Sequence, residues 1–156
     1  NKAEKESGQQ IYSYCTATIR NMCYENLQLP FTPIYVDDNF SKDIDKSYYV
    51  LRLLSKGYSQ CFNNNIVSAY ELVNEAYGIS KNDPQVLLLK GFTEYLLGKF
   101  DDAVNSLDDL LKIDPTLIDA YKIKALALNG KHNFTTALKI LDKQHKDYLL
   151  EYSQLF

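Results

Sequence analysis

The alanines at 69, 103 and 137 stand 34 residues apart, and that interval governs most of the chain. Gly57, Gly91 and Ala125 keep it as a second set of small residues. Leu53, Leu87 and Tyr121 keep it as large apolar ones, as do Ile66, Phe100 and Phe134, and Val73, Leu107 and Leu141. A fixed period of this length, written over helical patterns, predicts helical hairpins that stack, because one hairpin cannot bury both of its faces alone. Two antiparallel helices approach closely only where the side chains at their crossing are small, so the Gly/Ala sets are expected there. Arrays of this kind generally present an extended surface to a partner.

Apolar spacing and helix punctuation predict helices over 8–28, 43–62, 66–79, 84–97, 101–112, 118–129, 134–144 and 146–155. Asp83 before Pro84 is a helix start, with the carboxylate accepting from free amides and proline tolerated in the first turn. Asp114-Pro115 closes another helix, and Asn133 is placed to cap the one carrying Ala137. Residues 1–7 are polar and read as frayed. Ile11, Cys15, Ile19, Met22 and Cys23 form an apolar stripe over 8–28. Leu29 to Val36 is apolar but broken by Pro30 and Pro33, and reads as an extended segment lying against the helices. The domain plan is therefore 1–49 as an amino-terminal helix and extended segment, and 50–156 as three units (50–83, 84–117, 118–151) with a terminal cap, all in one structural domain.

Composition sets bounds on function. The chain has 156 residues and a formal net charge of −3, which supplies no basic footprint for nucleic acid. No apolar run reaches the roughly 20 residues that span a bilayer. Three cysteines, Cys15, Cys23 and Cys61, lack paired spacing and read as reduced thiols of a cytoplasmic or nuclear protein. The chain begins at Asn1 and not at methionine, which reads as a piece of a longer protein. His132 and His145 are the histidines, and neither has Cys or carboxylate neighbours at metal-ligand spacing. The pairs Asp37-Asp38, Asp101-Asp102 and Asp108-Asp109 fall in turns or on polar helix faces and read as solvated charge. No phosphate-binding glycine loop is present. The expectation is a protein without catalytic residues, cofactor or metal.

The segment Gly91-Phe-Thr-Glu-Tyr-Leu-Leu-Gly98-Lys-Phe100-Asp-Asp-Ala103, followed by Leu107, Leu110, Leu111 and Asp114-Pro115, resembles the tetratricopeptide repeat. Pro115, Tyr121, Ala125, Phe134, Ala137 and Leu141 repeat the match in the third unit; Leu53, Gly57, Ala69, Val73 and Ala76 follow it less closely in the first. The glycine usual between the two helices survives as Gly98 and is Asn64 and His132 elsewhere. Lys56, Lys90 and Lys124 stand where the family commonly has leucine, with stems expected on the core and heads in water. The resemblance covers about residues 50–151. It implies an all-α fold: a right-handed α-α superhelix of helical hairpins, with an extra amino-terminal helix and a carboxy-terminal capping helix.

By the same resemblance, the first helix of each hairpin lines a concave groove. Leu54, Tyr58 and Phe62 from the first, and Leu88, Phe92, Tyr95 and Leu96 from the second, make that groove apolar and aromatic. It suits a hydrophobic peptide or an amphipathic helix of a partner protein. The clamp that family members use for the acidic tail of heat-shock chaperones has Leu54, Tyr58, Leu89, Asp119 and Ile123 at its positions, so that partner is not expected. The functional expectation is a protein-protein interaction scaffold in a multi-subunit complex. Its alternatives are a docking module of a larger enzyme and an escort chaperone for a hydrophobic client. A competing reading of the groove is that the amino-terminal helix or the 29–36 segment fills it.

Overall fold

The computed structural model describes residues 46–154 and, near the amino terminus, Lys2, Ala3, Lys5, Glu6 and Gly8; for 145 and for 147–154 it describes the backbone alone. The expected stripe over 8–28, apart from Gly8, and the extended segment 29–36 lie outside the described residues. From residue 46 onward all the secondary structure is helical: α1 Lys46–Phe62, α2 Ile66–Ile79, α3 Pro84–Leu96, α4 Phe100–Ile113, α5 Ile118–Gly130 and α6 Phe134–Gln154. The starts of α2, α4 and α6 are 34 residues apart, as are those of α3 and α5.

Links of three or four residues force each helix to double back on the one before it. Every helix packs on the next, and α1 also touches α3, and α3 touches α5. Among the described residues the even-numbered helices have no such mutual contact. The odd helices are thus the closely packed layer and the even helices the splayed one. Burial follows from this. In α3, Val86 to Leu89 and Gly91 to Glu94 are all buried, and α5 is buried at Ala120, Ile123 and Ala125 to Leu128. By contrast α4 is one-sided, with Ala103, Ser106, Leu107 and Leu110 inward. Its first turn holds Asp101 and Asp102 and its last turn Lys112, each sign at the helix end whose dipole favours it.

The turns that follow α1, α3 and α5 are built alike. Asn64, Gly98 and His132 have φ of 62°, 76° and 61°. The next residue donates six back to one in each case: Asn65 to Gln60, Lys99 to Glu94 and Asn133 to Leu128, at 2.8, 2.9 and 2.9 Å. This left-handed ending satisfies carbonyls that a helix terminus would otherwise leave bare. The other type of link uses side chains. Asp83 accepts from the N–H groups of Gln85 at 2.8 Å and Val86 at 3.4 Å, with Pro84 in the first turn. After α4, Asp114 accepts from the backbone and hydroxyl of Thr116 at 3.0 and 2.6 Å.

The small residues act somewhat differently from the expectation. A Cβ on Gly91 would stand 2.7 Å from Cγ of Leu107, and one on Gly57 would stand 2.8 Å from Cδ2 of Leu89. Each glycine therefore receives a leucine from a neighbouring helix, and small residues do not simply face small residues. Gly57 receives its leucine from α3, the first helix of the next hairpin, so this device also joins hairpins to each other.

Three further expectations are corrected. The helices expected over 134–144 and 146–155 are one, α6, because nothing from Phe134 to Gln154 is a glycine or proline and Gln144-His145-Lys146 carries no break signal. The cap expected as a separate element is the end of that helix. The described residues of 1–7 are helical and not frayed, and Gly8 is anchored: its carbonyl accepts from Nδ2 of Asn129 at 3.1 Å. The lysine heads do not all go to water. Lys90 meets Glu94, and Lys124 meets Asp108 at 2.6 Å, while Lys56 is exposed.

Candidate functional site

Two places could hold function: the apolar face of the odd helices, and a polar cluster beneath it. The seven expected interface residues divide sharply. Leu54, Tyr58, Leu88 and Phe92 are each 5% exposed or less and belong to one core cluster running through α1 to α5. As placed here they are core side chains, and a partner would reach them only by displacing what packs on them. Tyr95 is half-buried, with its ring 6.1 Å from that of Phe100. Phe62 and Leu96 remain open, at 51% and 38% exposure. They are 34 residues apart, so they end α1 and α3 at the same register, just before the left-handed turn. The structure thus leaves a rim of the expected groove exposed.

Sequence reasoning missed Val67, which is 62% exposed in the first turn of α2 directly after the Phe62 turn. The period gives no sign of it, since its equivalents are Asp101 and Thr135. It also missed Ile79 and Ile113, both exposed at the opposite end of the hairpins, although these do stand 34 apart. A search for apolar residues just outside the core positions of the period would have found that pair.

The polar cluster joins α3 to α4. Ser106 donates to Oε2 of Glu94 at 2.7 Å, and Lys90 donates to Oε1 of Glu94 and, at 3.1 Å, to the Ser106 oxygen. The Lys90 ammonium also lies 5.2 Å from the centre of the Tyr77 ring in α2. Serine, lysine and a carboxylate within reach of one another can suggest nucleophilic chemistry. The arrangement works against it. The serine proton is committed to Glu94, the lysine donates to the oxygen that would attack, and Ser106 is buried. What this set does well is fasten two helices. Among the described residues no group of three or more His, Cys, Asp or Glu could hold a metal ion. His132 stands exposed in its turn, edge-on to Phe134 at 5.8 Å, and the His145 side chain lies outside the described residues. Cys61 is a half-buried thiol, whereas Cys15 and Cys23 lie outside the described residues. No described helix is long and apolar enough to cross a membrane.

Comparison with protein-family models, with curated proteins and with solved structures gives no match for this chain.

Proposed function

We propose that the chain is a tetratricopeptide-type scaffold domain that carries no chemistry of its own and holds an apolar segment of a partner subunit. The segment lies across the rim formed by Phe62, Tyr95 and Leu96, in a multi-subunit assembly of the cytoplasm or nucleus. One observation carries the reading. The same left-handed turn recurs at Asn64, Gly98 and His132, and it brings Phe62 and Leu96 to the surface at equivalent places. Large apolar side chains presented in register along successive hairpins are what a peptide or helix with evenly spaced anchors requires. Aromatic residues at such positions supply much of the energy of an interface.

The test is affinity capture from native lysate with wild type, Phe62→Asp/Leu96→Asp and Phe92→Asp/Tyr95→Asp. The reading expects a stoichiometric partner that the rim variant loses while remaining folded, and a loss of folding in the variant carrying the buried Phe92 change. A folded rim variant that keeps its partner would move the interface elsewhere. A partner captured only in passing would point to an escort of apolar clients.

A further inference from the structure

The 34-residue register also exposes a reversal of charge across the outward faces of the even helices. Glu71 of α2 corresponds to Asn105 of α4 and Lys139 of α6. Glu75 corresponds to Asp109 and Lys143, and Gly78 to Lys112 and Lys146. Lys139, Lys143 and Lys146 are all exposed, and spacings of four and three put them on one face of α6. None of them is ion-paired among the described residues, whereas the other sites in this register that carry charge include a tied pair, Lys112 with Asp109 at 3.0 Å. Asp142 is the single described acid exposed beside the three lysines. The third unit, 118–151, holds six lysines and four acids, Asp119, Asp142, Asp147 and Glu151, in a chain whose net charge is −3. The positive charge is therefore local.

We propose that this face of α6 docks an acidic polypeptide segment. Three ammonium groups over the seven steps from Lys139 to Lys146 define a stripe about 10 Å long, at about 1.5 Å of rise per residue. A few carboxylates on an extended or helical segment match that length. A nucleic acid fits less well. Its phosphates continue beyond the stripe, and the equivalent face of α4 presents Asp101, Asp102 and Asp109 with Lys112 as its single cation. This surface is separate from the Phe62–Leu96 rim and stands or falls independently of it.

The experiment uses the full chain and a short fluorescent peptide of glutamate and leucine, read by anisotropy at low and high salt. Binding is expected, weakening as salt rises. Changing three exposed pairings at once, in Lys139→Glu/Lys143→Glu/Lys146→Glu, is expected to weaken it by about tenfold or more. Glu71→Lys/Glu75→Lys on α2 is expected to leave it unweakened. If the glutamate variant loses its helical melt, Lys139→Gln/Lys143→Gln/Lys146→Gln decides in its place. Equal binding by the folded variant overturns the proposal. So does binding of single-stranded RNA of equal length, or of phosphatidylserine vesicles, as tightly as the peptide, since the face would then select anions in general.

Discussion

Glu94 of α3 accepts a 2.7 Å hydrogen bond from the Ser106 hydroxyl of α4, although only 1% of the glutamate is exposed. A carboxylate held that far from water is tolerable only when its oxygens are matched, and here Lys90 and Ser106 match one each. Ser106→Ala leaves Oε2 bare and is expected to cost about 1–3 kcal/mol. Lys90→Met removes the countercharge and is expected to cost more, about 3–5 kcal/mol. Lys90→Met/Glu94→Leu, which removes both charges, should return to within about 1 kcal/mol of wild type or exceed it. Urea denaturation of the four proteins measures this. A double variant as weak as the lysine variant would show that the pair contributes more than its mutual neutralisation.

Gly91 and Gly78 predict opposite outcomes for the same substitution. A Cβ on Gly91 would collide with Leu107, a fully buried core residue, at 2.7 Å. Gly91→Ala must therefore push α3 and α4 apart or displace that leucine, at a cost of about 1–3 kcal/mol. Gly78 has nothing within 4 Å of such an atom and lies inside α2. Because Gly78 lies in the last turn, Gly78→Ala should stabilise by about 0.2–0.5 kcal/mol, less than at a mid-helix site. Thermal melts of the two variants should move in opposite directions.

The three left-handed turns carry a prediction of their own. His132, at φ 61°, pays a steric cost that glycine at that site would avoid. His132→Gly is expected to raise stability by about 1 kcal/mol, while Gly98→Ala, at φ 76°, lowers it by a similar amount. Asn64→Gly should change little, because asparagine tolerates this conformation. A His132→Gly variant that melts lower than wild type would mean that the imidazole packing on Phe134 outweighs the backbone cost.

Much of this architecture could be read from the chain, and the reasons are local. Asp83-Pro84 marks a helix start by chemistry that needs no tertiary context, and the structure uses it. The interval between Ala69, Ala103 and Ala137 gave the helix starts because core positions recur with the backbone. What escaped depends on neighbours distant in sequence. Glu94 reads as a surface charge until Ser106 and Lys90 are seen around it. Phe92 and Phe62 fall on the same expected face, yet only packing separates the buried ring from the open one. The continuity of α6 through residue 145 was missed because a periodic template imposed a break that no breaker residue supports.

Two titrations follow from the side-chain bonds at exposed sites. Hydrogen bonds from the Thr116 hydroxyl and then its backbone N–H hold the Asp114 carboxyl below the usual carboxylate range. A depressed value in the folded state means a contribution that is present above the ordinary value of about 4 and lost as pH falls through the folded one. Thr116→Val removes the first of the two bonds and should move the Asp114 titration, followed by carbon NMR, back toward the ordinary value. Tyr49 shifts the other way. Its hydrogen bond to Glu75 comes first, followed by burial and the Glu75 charge, and together they raise the phenol against the opposing pull of Arg52. That contribution is present below the ordinary tyrosine value of about 10 and lost as pH rises through the folded one. In Glu75→Gln the ultraviolet titration of Tyr49 should fall back; an unmoved curve would show that the carboxylate is not its cause.

Phe62 and Phe92 give the cleanest separation of core from surface. Both were expected on one groove, but Phe92 is 1% exposed and Phe62 is 51% exposed. Phe92→Ala opens a cavity among packed side chains and is expected to cost about 3–5 kcal/mol. Phe62→Ala removes only the buried half of its residue and is expected to cost about 1–2 kcal/mol, well short of the Phe92 change. Chemical denaturation of the two variants reads the difference directly. If the scaffold reading holds, binding inverts the order: Phe62→Ala weakens partner capture in a fully folded protein. Phe92→Ala should weaken it only as far as it unfolds the domain, and an excess of partner should then restore capture. Loss of capture by Phe92→Ala at a temperature where it is fully folded would mean that the buried part of the face also meets the partner, after an opening of the kind that hydrogen exchange at α3 would reveal.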